Sequence, residues 1–322
     1  MNKILITGSS GGIGGALTEY LSLKSMEKKS ASKESDVSHS VTFNVVGNYD
    51  KREHWEGALK GVDTVIHLAA LAHTEHVTSK DFFETNVEIT KKLYELCIVH
   101  NVKHFIFISS VTALTESSAV PLHEEVEAQP ISEYGKSKHE GEEILKKLSK
   151  NEGAPLLTIL RSPTVFGEGC SGGIEQLIKI CLKLPILPFG ACVNQRSFLS
   201  LVTFLKAIEQ VILNDNCSGL RVYHVSDHGS LSVREISEII SAEFLLGKKS
   251  IFIPESLFKV FSFLGNKTGV LSMSQLKVRQ LFSPLLVSGE KFQKDFPEFS
   301  PSDVKDKFVE YLTKFNKFEL QK

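Results

Sequence analysis

KILITGSSGGIGG, residues 3–15, decides the fold. KILIT (3–7) is a short apolar run of β-branched and aliphatic residues, the pattern of a buried strand. TGSSGGIGG follows at once and sets Gly8, Gly11 and Gly14 at the spacing GxxGxxG. Glycine permits a tight turn and lets backbone N–H groups approach a pyrophosphate, and a helix opening there adds partial positive charge. The last glycine allows close helix–strand packing. Residues 12–24 have the look of that helix. The turn, with Gly8, Ser10, Gly11, Gly12, Ile13 and Gly14, is therefore a candidate dinucleotide-binding element. The competing reading is a glycine-rich turn with no ligand.

Outward from this turn, apolar runs alternate with amphipathic stretches. VTFNVV (41–46), DTVIHLA (63–69), HFIFISS (104–110), LLTILRS (156–162) and RVYHVSD (221–227) are further strand runs, and FFETNVEITKKLYELCIVH (82–100) has helical spacing. Strands alternating with helices imply an α/β fold, a doubly wound parallel sheet covered on both faces; the less regular second half is expected to form a smaller C-terminal lobe. One strand is missing from the pattern. Such a sheet needs a second strand soon after the first helix, near residues 24–33, and KSMEKKSASK is polar. It reads as a short edge strand or a loop. The second half is less regular, with prolines and glycines clustered at 163–190. LSVREISEIISAEF (231–244) reads as a helix with Ser232 as N-cap, and PSDVKDKFVEYLTKF (301–315) as a closing amphipathic helix. The expected division is 1–162 for the NAD(P)-binding domain, with return segments at about 198–227, and 163–322 mainly for the substrate lobe.

Composition excludes several classes. The 322 residues carry 37 Lys plus Arg against 38 Asp plus Glu, so no basic excess advertises nucleic acid. No run of 18 apolar residues predicts a membrane span. The five cysteines lack CxxC spacing and read as reduced thiols of a cytoplasmic protein, with no metal site.

YGKSK (134–138) places a phenol and an ammonium on one helix face, four residues apart. The ammonium should lower the phenol's pKa from about 10, making Tyr134 a general acid–base at neutral pH with Lys138 as its partner. Ser109, Ser110 and Thr112 stand beyond the end of a predicted strand, where ligands of open α/β sheets bind. The alternative for Tyr134 is an exposed tyrosine at a helix start. His67 reads as a packed strand-end residue.

TGSSGGIG, HLAA (67–70), TNV (85–87), ISS (108–110) and YGKSK, in this order, resemble the extended short-chain dehydrogenase/reductases of the NAD-dependent epimerase/dehydratase type. The resemblance implies a Rossmann fold. It assigns catalysis to Tyr134, Lys138 and Ser110. It assigns cofactor contacts to Asn48, Tyr49, Leu68, Ala69, Ala70, Asn86, Ser109 and Pro163, with Tyr134 and Lys138. Substrate contacts fall to Ser110, Thr112, Tyr134 and Arg196, the last on a diphosphate. The cofactor is NAD or NADP, with NAD favoured. The acid that holds the ribose is not identifiable: Glu34 and Asp36 compete with Lys28, Lys29 and Lys33, which would suit a 2′-phosphate. LRSPTVFGEG (160–169) and PFGACVNQRSFLSL (188–201) are similar to family segments beside the nicotinamide and the sugar, and Gly172–Gly173 departs from the family's Gly-Asn.

Within the family the nearest group is the UDP-N-acetyl-quinovosamine dehydrogenases. The implied function is reduction at C4 of a UDP-hexose or UDP-HexNAc in surface-polysaccharide biosynthesis. The alternative is a UDP-sugar 4-epimerase of the UDP-glucose or UDP-GlcNAc type. A third reading, of another class, is a non-catalytic dinucleotide-binding sensor or scaffold. The implied partners are a UDP-sugar and a second copy of the chain in a homodimer.

Overall fold

The run after Lys3 forms strand β1 (Ile4–Thr7), buried at every residue. It opens a five-stranded parallel sheet with β2 (Thr64–His67), β3 (His104–Ser110), β5 (Leu156–Ser162) and β9 (Leu220–His224), in the order β1-β2-β3-β5-β9. The computed structural model describes residues 3–31, 52–72, 77–214, 219–259 and 275–319. Register runs unbroken through the sheet centre. Ile4 lies opposite Thr64, Thr64 opposite His104, Ser110 opposite Ser162, and Arg161 opposite His224.

Helices cover both faces, which is why these strands read as continuous apolar runs. On one face Ile4, Ile6, Ile66, Ile106, Ile108 and Leu160 pack against Leu17 and Leu21 of α1 (Gly12–Ala31) and against Phe204, Leu205, Ile208 and Val211 of α7 (Leu201–Leu213). On the other, Leu5, Val65, Phe105, Phe107, Leu157 and Ile159 meet α2 (Arg52–Leu59), α4 (Ile89–Val99) and α5 (Glu133–Leu148) through Trp55, Leu59, Leu93, Tyr94, Cys97 and Leu145. Each such side chain, fully buried, contributes about 1.5–3 kcal/mol.

α1 is longer than the sequence suggested. Of residues 24–33, expected as a short edge strand or a loop, the described part 24–31 continues the helix. Their Lys, Met, Glu and Ala are good helix formers, and that outweighed the missing apolar stripe. VTFNVV (41–46) lies outside the described residues. The stretch 82–100 splits into α3 (Ser79–Phe83), a π-helical turn (Glu84–Glu88) and α4.

Three strands of the second half, β10 (Leu231–Ser232), β7 (Gln195–Arg196) and β11 (Leu285–Val287), form a four-stranded sheet with β4 (Ser118–Leu122) of the first, and β6 (Thr164–Phe166) pairs in parallel with β8 (Phe198–Ser200). A separate core gathers α6 (Gly173–Lys183), α8 (Val233–Glu243) and the helix Val304–Glu319. Ser232 caps α8 in a reciprocal box with Glu235, as its position before the apolar periodicity implied. α6 had been hidden by flanking glycines and prolines, although Ile174, Leu177, Ile178 and Cys181 stand at helical spacing on its buried side. Before the helix Val304–Glu319 the chain returns to the first core, which Phe292, Phe296 and Phe299 join.

Cys97, Cys181 and Cys192 are buried free thiols, Cys170 is half-buried, and Cys217 lies outside the described residues. Among the described residues, no helix is long and apolar enough to cross a membrane. No His, Cys, Asp and Glu cluster among them is arranged to hold a metal.

Candidate active site

The glycine turn fits a dinucleotide phosphate. Gly8 has φ +76°, and a Cβ placed there would lie 2.7 Å from the Ala69 nitrogen. Only glycine lets the turn after β1 lie this close to the loop after β2. Gly11 N–H donates to the Gly8 carbonyl at 3.0 Å. α1 has no acidic residue in its first turn, so the backbone donors at its start face no competing carboxylate of their own helix. Ser10 and Gly12 are exposed, while Ile13 and Leu68 pack against the core, so these two offer their backbones.

One contact was not foreseen. A Cβ on Gly12 would sit 1.9 Å from the Gly169 carbonyl oxygen, because the loop after β6 closes on the glycine turn. Gly167 and Gly169 in VFGEG were the available signal.

Beneath the turn runs a chain of hydrogen bonds of one polarity. Ala69 N–H donates to Thr7 Oγ1 (3.3 Å), which meets His67 Nδ1 (2.7 Å). His67 Nε2 meets Thr90 Oγ1 (2.9 Å), which donates to the Asn86 carbonyl (2.9 Å). Thr90 gives its own proton away, so it accepts from Nε2–H, and Nδ1 accepts from Thr7. His67 is thus a neutral, packed strand-end residue. Burial first, and the Lys138 charge second, push its pKa down to about 3. Asn86 holds the loop after β2 in place. Its Oδ1 accepts from Leu71 N–H (2.8 Å), and its Nδ2 donates to the Leu71 carbonyl (3.0 Å) and Ser137 Oγ (2.9 Å). This is a capping role, with Leu68, Ala69 and Ala70 leading into the loop it fixes.

α5 begins where Ser132 caps the Gly135 N–H. Buried Glu116 fixes that start by accepting from Ile131 N–H and from Ser132 N–H and Oγ–H. The helix then brings Tyr134 and Lys138 to the end of β3. The Tyr134 phenol hydrogen-bonds with Ser110, whose Oγ also accepts from Thr112 Oγ1 (2.9 Å) and N–H (3.2 Å). Lys138 Nζ donates to the Ile108 carbonyl (2.7 Å) and lies 4.3 Å from the Phe107 ring centre. Pro163 is buried just beyond β5.

Electrostatics depart from expectation. Burial pushes the Tyr134 phenol up to about 12, against the lowering effect of Ser110. The depression expected from Lys138 is not realised, because that ammonium points to the Ile108 carbonyl and the Phe107 face. Burial also pulls Lys138 down to about 8, opposed by the charge of Glu142.

Ser109 departs too. Its hydroxyl donates to buried Glu142 Oε1 at 2.6 Å, which turns the side chain inward, away from the cofactor role expected of it. Arg196 Nη1 donates to the Gln280 (3.0 Å) and Ser283 (2.6 Å) carbonyls, so one edge of its fork is committed to the protein. Burial lowers its pKa to about 10. Gly172 caps α6 and Gly173 begins it, both exposed. Asn48, Tyr49, Lys33, Glu34 and Asp36 lie outside the described residues, and Lys28 and Lys29 fall in the last turns of α1. Sequence reasoning missed Glu142, Arg161 and Glu116. Glu142 had a signal, four residues beyond Lys138 on the same helix face.

The chain is 29% identical over 277 residues to UDP-glucose 4-epimerase of Vibrio cholerae, covering 84% of each protein. It is 26% identical to N-acetyl-alpha-D-glucosaminyl-diphospho-ditrans,octacis-undecaprenol 4-epimerase of Escherichia coli O157:H7, over 80% of this chain and 76% of the relative. Its fold is similar to that of UDP-glucuronic acid 4-epimerase from Bacillus cereus in complex with NAD, with a TM-score of 0.72 and 20% identity, covering 97% of this chain and 96% of that one. The model of the NAD dependent epimerase/dehydratase family matches residues 4–225, which span both the glycine turn and the Tyr134–Lys138 helix, and the chain belongs to that family as an enzyme working with NAD or NADP.

Proposed function

We propose that this enzyme is a 4-epimerase of a UDP-linked hexose or N-acetylhexosamine. The observation that supports it most is the likeness to UDP-glucose 4-epimerase of Vibrio cholerae over 84% of both chains, too long a span to be confined to the N-terminal half. The sequence reading had put a 4-ketoreductase first. The relatives reverse that order.

In this reading NAD, held by the glycine turn and Lys138, would supply reversible hydride transfer at C4 of the sugar. The protein supplies position and proton transfer. Tyr134 removes the C4 hydroxyl proton as the C4–H bond breaks, then gives a proton back to the ketone oxygen. Ser110 donates to that oxygen, and Thr112 orients Ser110 through the 2.9 Å contact of their hydroxyls. At neutral pH the phenol, at about 12, is in its protonated, donating form. The removal step needs the phenolate, so turnover should rise with pH until Lys138, which acts here as the ammonium that holds the ribose, loses its charge near 8. Lys138 also anchors the ribose, Pro163 faces the nicotinamide, and the free edge of Arg196 meets the substrate diphosphate. The substrate-binding lobe lies mainly in residues 163–322, with return segments at about 198–227 in the NAD(P)-binding domain, and the enzyme pairs as a homodimer in the cytoplasm.

The test is made on purified protein without added coenzyme. The protein is denatured and any released nucleotide identified by mass spectrometry. Native protein is then incubated with UDP-glucose, UDP-GlcNAc, and a UDP-4-keto-6-deoxy-HexNAc plus NAD(P)H. Stoichiometric bound NAD, with conversion of a UDP-sugar to its C4 epimer and no net coenzyme use, is the expected result. NADH or NADPH consumed only with the keto sugar would overturn it in favour of the reductase. Stoichiometric coenzyme with no turnover would leave a sensor.

A further inference from the structure

α5 lays three side chains, four residues apart, along the end of β3. Tyr134 bonds Ser110, Lys138 bonds the Ile108 carbonyl, and Glu142 bonds Ser109 Oγ. The first two belong to the proposed chemistry, and the third has no part in it. Glu142 is wholly buried and Arg161, on β5, is 2% exposed. Their pairing is bidentate: Arg161 Nη2 to Oε2 at 2.6 Å, and Nε to Oε1 at 3.0 Å and Oε2 at 3.1 Å. Arg161 Nη1 continues to the Glu124 carbonyl (3.1 Å), and the Glu124 carboxylate accepts from His224 N–H on β9 (2.7 Å). A buried ion pair is as a rule no more stabilising than apolar residues of the same volume. Stability alone is therefore a weak reason for this pair to stand one helical turn below Lys138.

We propose that Glu142, oriented by Arg161, is a positioning residue that keeps Lys138 charged and ties Ser109, at the end of β3, to α5. This rests on reading Tyr134 and Lys138 as the acid–base pair. The only partners described for Lys138 Nζ are a carbonyl and a ring face. Among the titratable groups nearby, His67 on β2 and His224 on β9 are neutral, Tyr134 is protonated, Arg161 on β5 pairs with Glu142, and Lys146 on α5 itself reaches Glu142 at 3.7 Å and Glu143 at 2.8 Å. The charged residues on the other elements packed against α5 are Lys80, Asp81, Glu84, Glu88, Lys91, Lys92 and Glu95, all half-buried or exposed. Glu142 is thus a buried anion with the buried cations Lys138 and Arg161 beside it and the half-buried Lys146 3.7 Å from its Oε2, while the other buried carboxylate at this helix, Glu116, is taken up by the backbone and hydroxyl of its first turn. Without it, one cation must yield. Arginine does not release its proton in proteins and lysine does.

The test follows the Lys138 amine directly. The Cε resonance is tracked against pH in lysine-labelled protein and assigned by its loss in Lys138→Met. In Glu142→Gln the midpoint should fall by about one pH unit or more, the size expected for losing an adjacent opposite charge. In Glu142→Gln/Arg161→Gln both charges leave together, so the midpoint should return close to that of the unaltered protein. Ser109→Ala removes only the hydrogen bond to Glu142. It should leave the titration in place and lower kcat without raising KM. A midpoint unmoved in Glu142→Gln, with only a loss of melting temperature, would overturn the proposal. If Glu142→Gln does not fold, Arg161→Gln decides, since removing the opposing cation should raise the midpoint, and an unchanged midpoint overturns the proposal. The expected titrations with no turnover of any UDP-sugar would sink the epimerase reading and leave the charge coupling standing.

Discussion

The turn after β1 and the seam between α5 and β3 lie at the same end of the sheet and are built on opposite principles. The turn works through missing side chains: at Gly8 a Cβ would strike Ala69, and at Gly12 it would strike Gly169. The seam works through side chains present at one spacing, with Tyr134, Lys138 and Glu142 each engaging the end of β3. A backbone site is specified by local composition. A side-chain seam needs partners from elements far apart in the chain, and its electrostatics depend on which of them is buried beside which.

The largest effect should come from the seam. Tyr134→Phe removes the only atom proposed to carry the proton and leaves Ser110 and Lys138 in place. Turnover should fall by about 10²–10⁴-fold, the range for a lost general acid–base. Retained coenzyme and melting temperature should hardly change. A matching loss of bound coenzyme would show that the turn and the seam are one unit, and would break the contrast between them.

Next is the ion pair beneath the seam. Arg161→Met alone leaves the buried Glu142 carboxylate with only Ser109 and the half-buried Lys146 at 3.7 Å, and should cost up to about 3–5 kcal/mol in urea unfolding. Glu142→Leu/Arg161→Met replaces both by apolar groups and should recover most of that loss. Turnover should stay low in the double variant, because Ser109 has lost its acceptor. Activity that recovers together with stability would reduce the pair to packing.

What could be read in advance follows the same division. KILIT, the glycines and YGKSK are contiguous, so the parallel sheet, the turn and the Tyr134–Lys138 face were legible. The sign of the Tyr134 shift was not. Helical spacing sets the phenol and ammonium on one face, yet the Ile108 carbonyl and the Phe107 ring that draw the ammonium aside belong to β3. Ser109 was misjudged for a related reason. Alternation along β3 turns its hydroxyl inward, to a carboxylate 33 positions along the chain. α6 was lost because the glycines and prolines around it masked an apolar stripe of ordinary helical period.

Acid should probe both regions at once. Burial holds His67 at about 3, and His104 and His224 at about 4, each lowered further by a cation: Lys138, Arg221 and Arg161 in turn. All three folded values lie below the unfolded 6.5, so the unfolded chain takes up protons first as pH falls. Stability should be flat from these groups above about 6.5. It should then drop by up to about 1.4 kcal/mol per pH unit for each histidine, down to about 4 for two of them and about 3 for His67. Melting temperature against pH checks this, and His104→Gln should remove one share of the slope without touching either site. A slope unchanged in that variant would mean that other groups carry the acid sensitivity.

The smallest effect sharpens the contrast from the side of the turn. Gly8 and Gly15 belong to the same run, and only one is required by geometry. At Gly15 an added Cβ meets the Ser9 carbonyl at 3.4 Å, an ordinary contact, and the residue lies within α1. Gly15→Ala should therefore gain about 0.5–1 kcal/mol from helix propensity and leave coenzyme binding intact. Gly8→Ala must take up a left-handed φ of +76° and push the Ala69 backbone away from 2.7 Å. That should cost about 1–2 kcal/mol from the backbone conformation alone, and it should release coenzyme. Thermal melting and the coenzyme content of the two purified variants check both values. Equal outcomes would mean that the run acts as a flexible loop. Opposite outcomes would mean that the turn is a fitted surface, with Gly8 at the point of contact and Gly15 behind it.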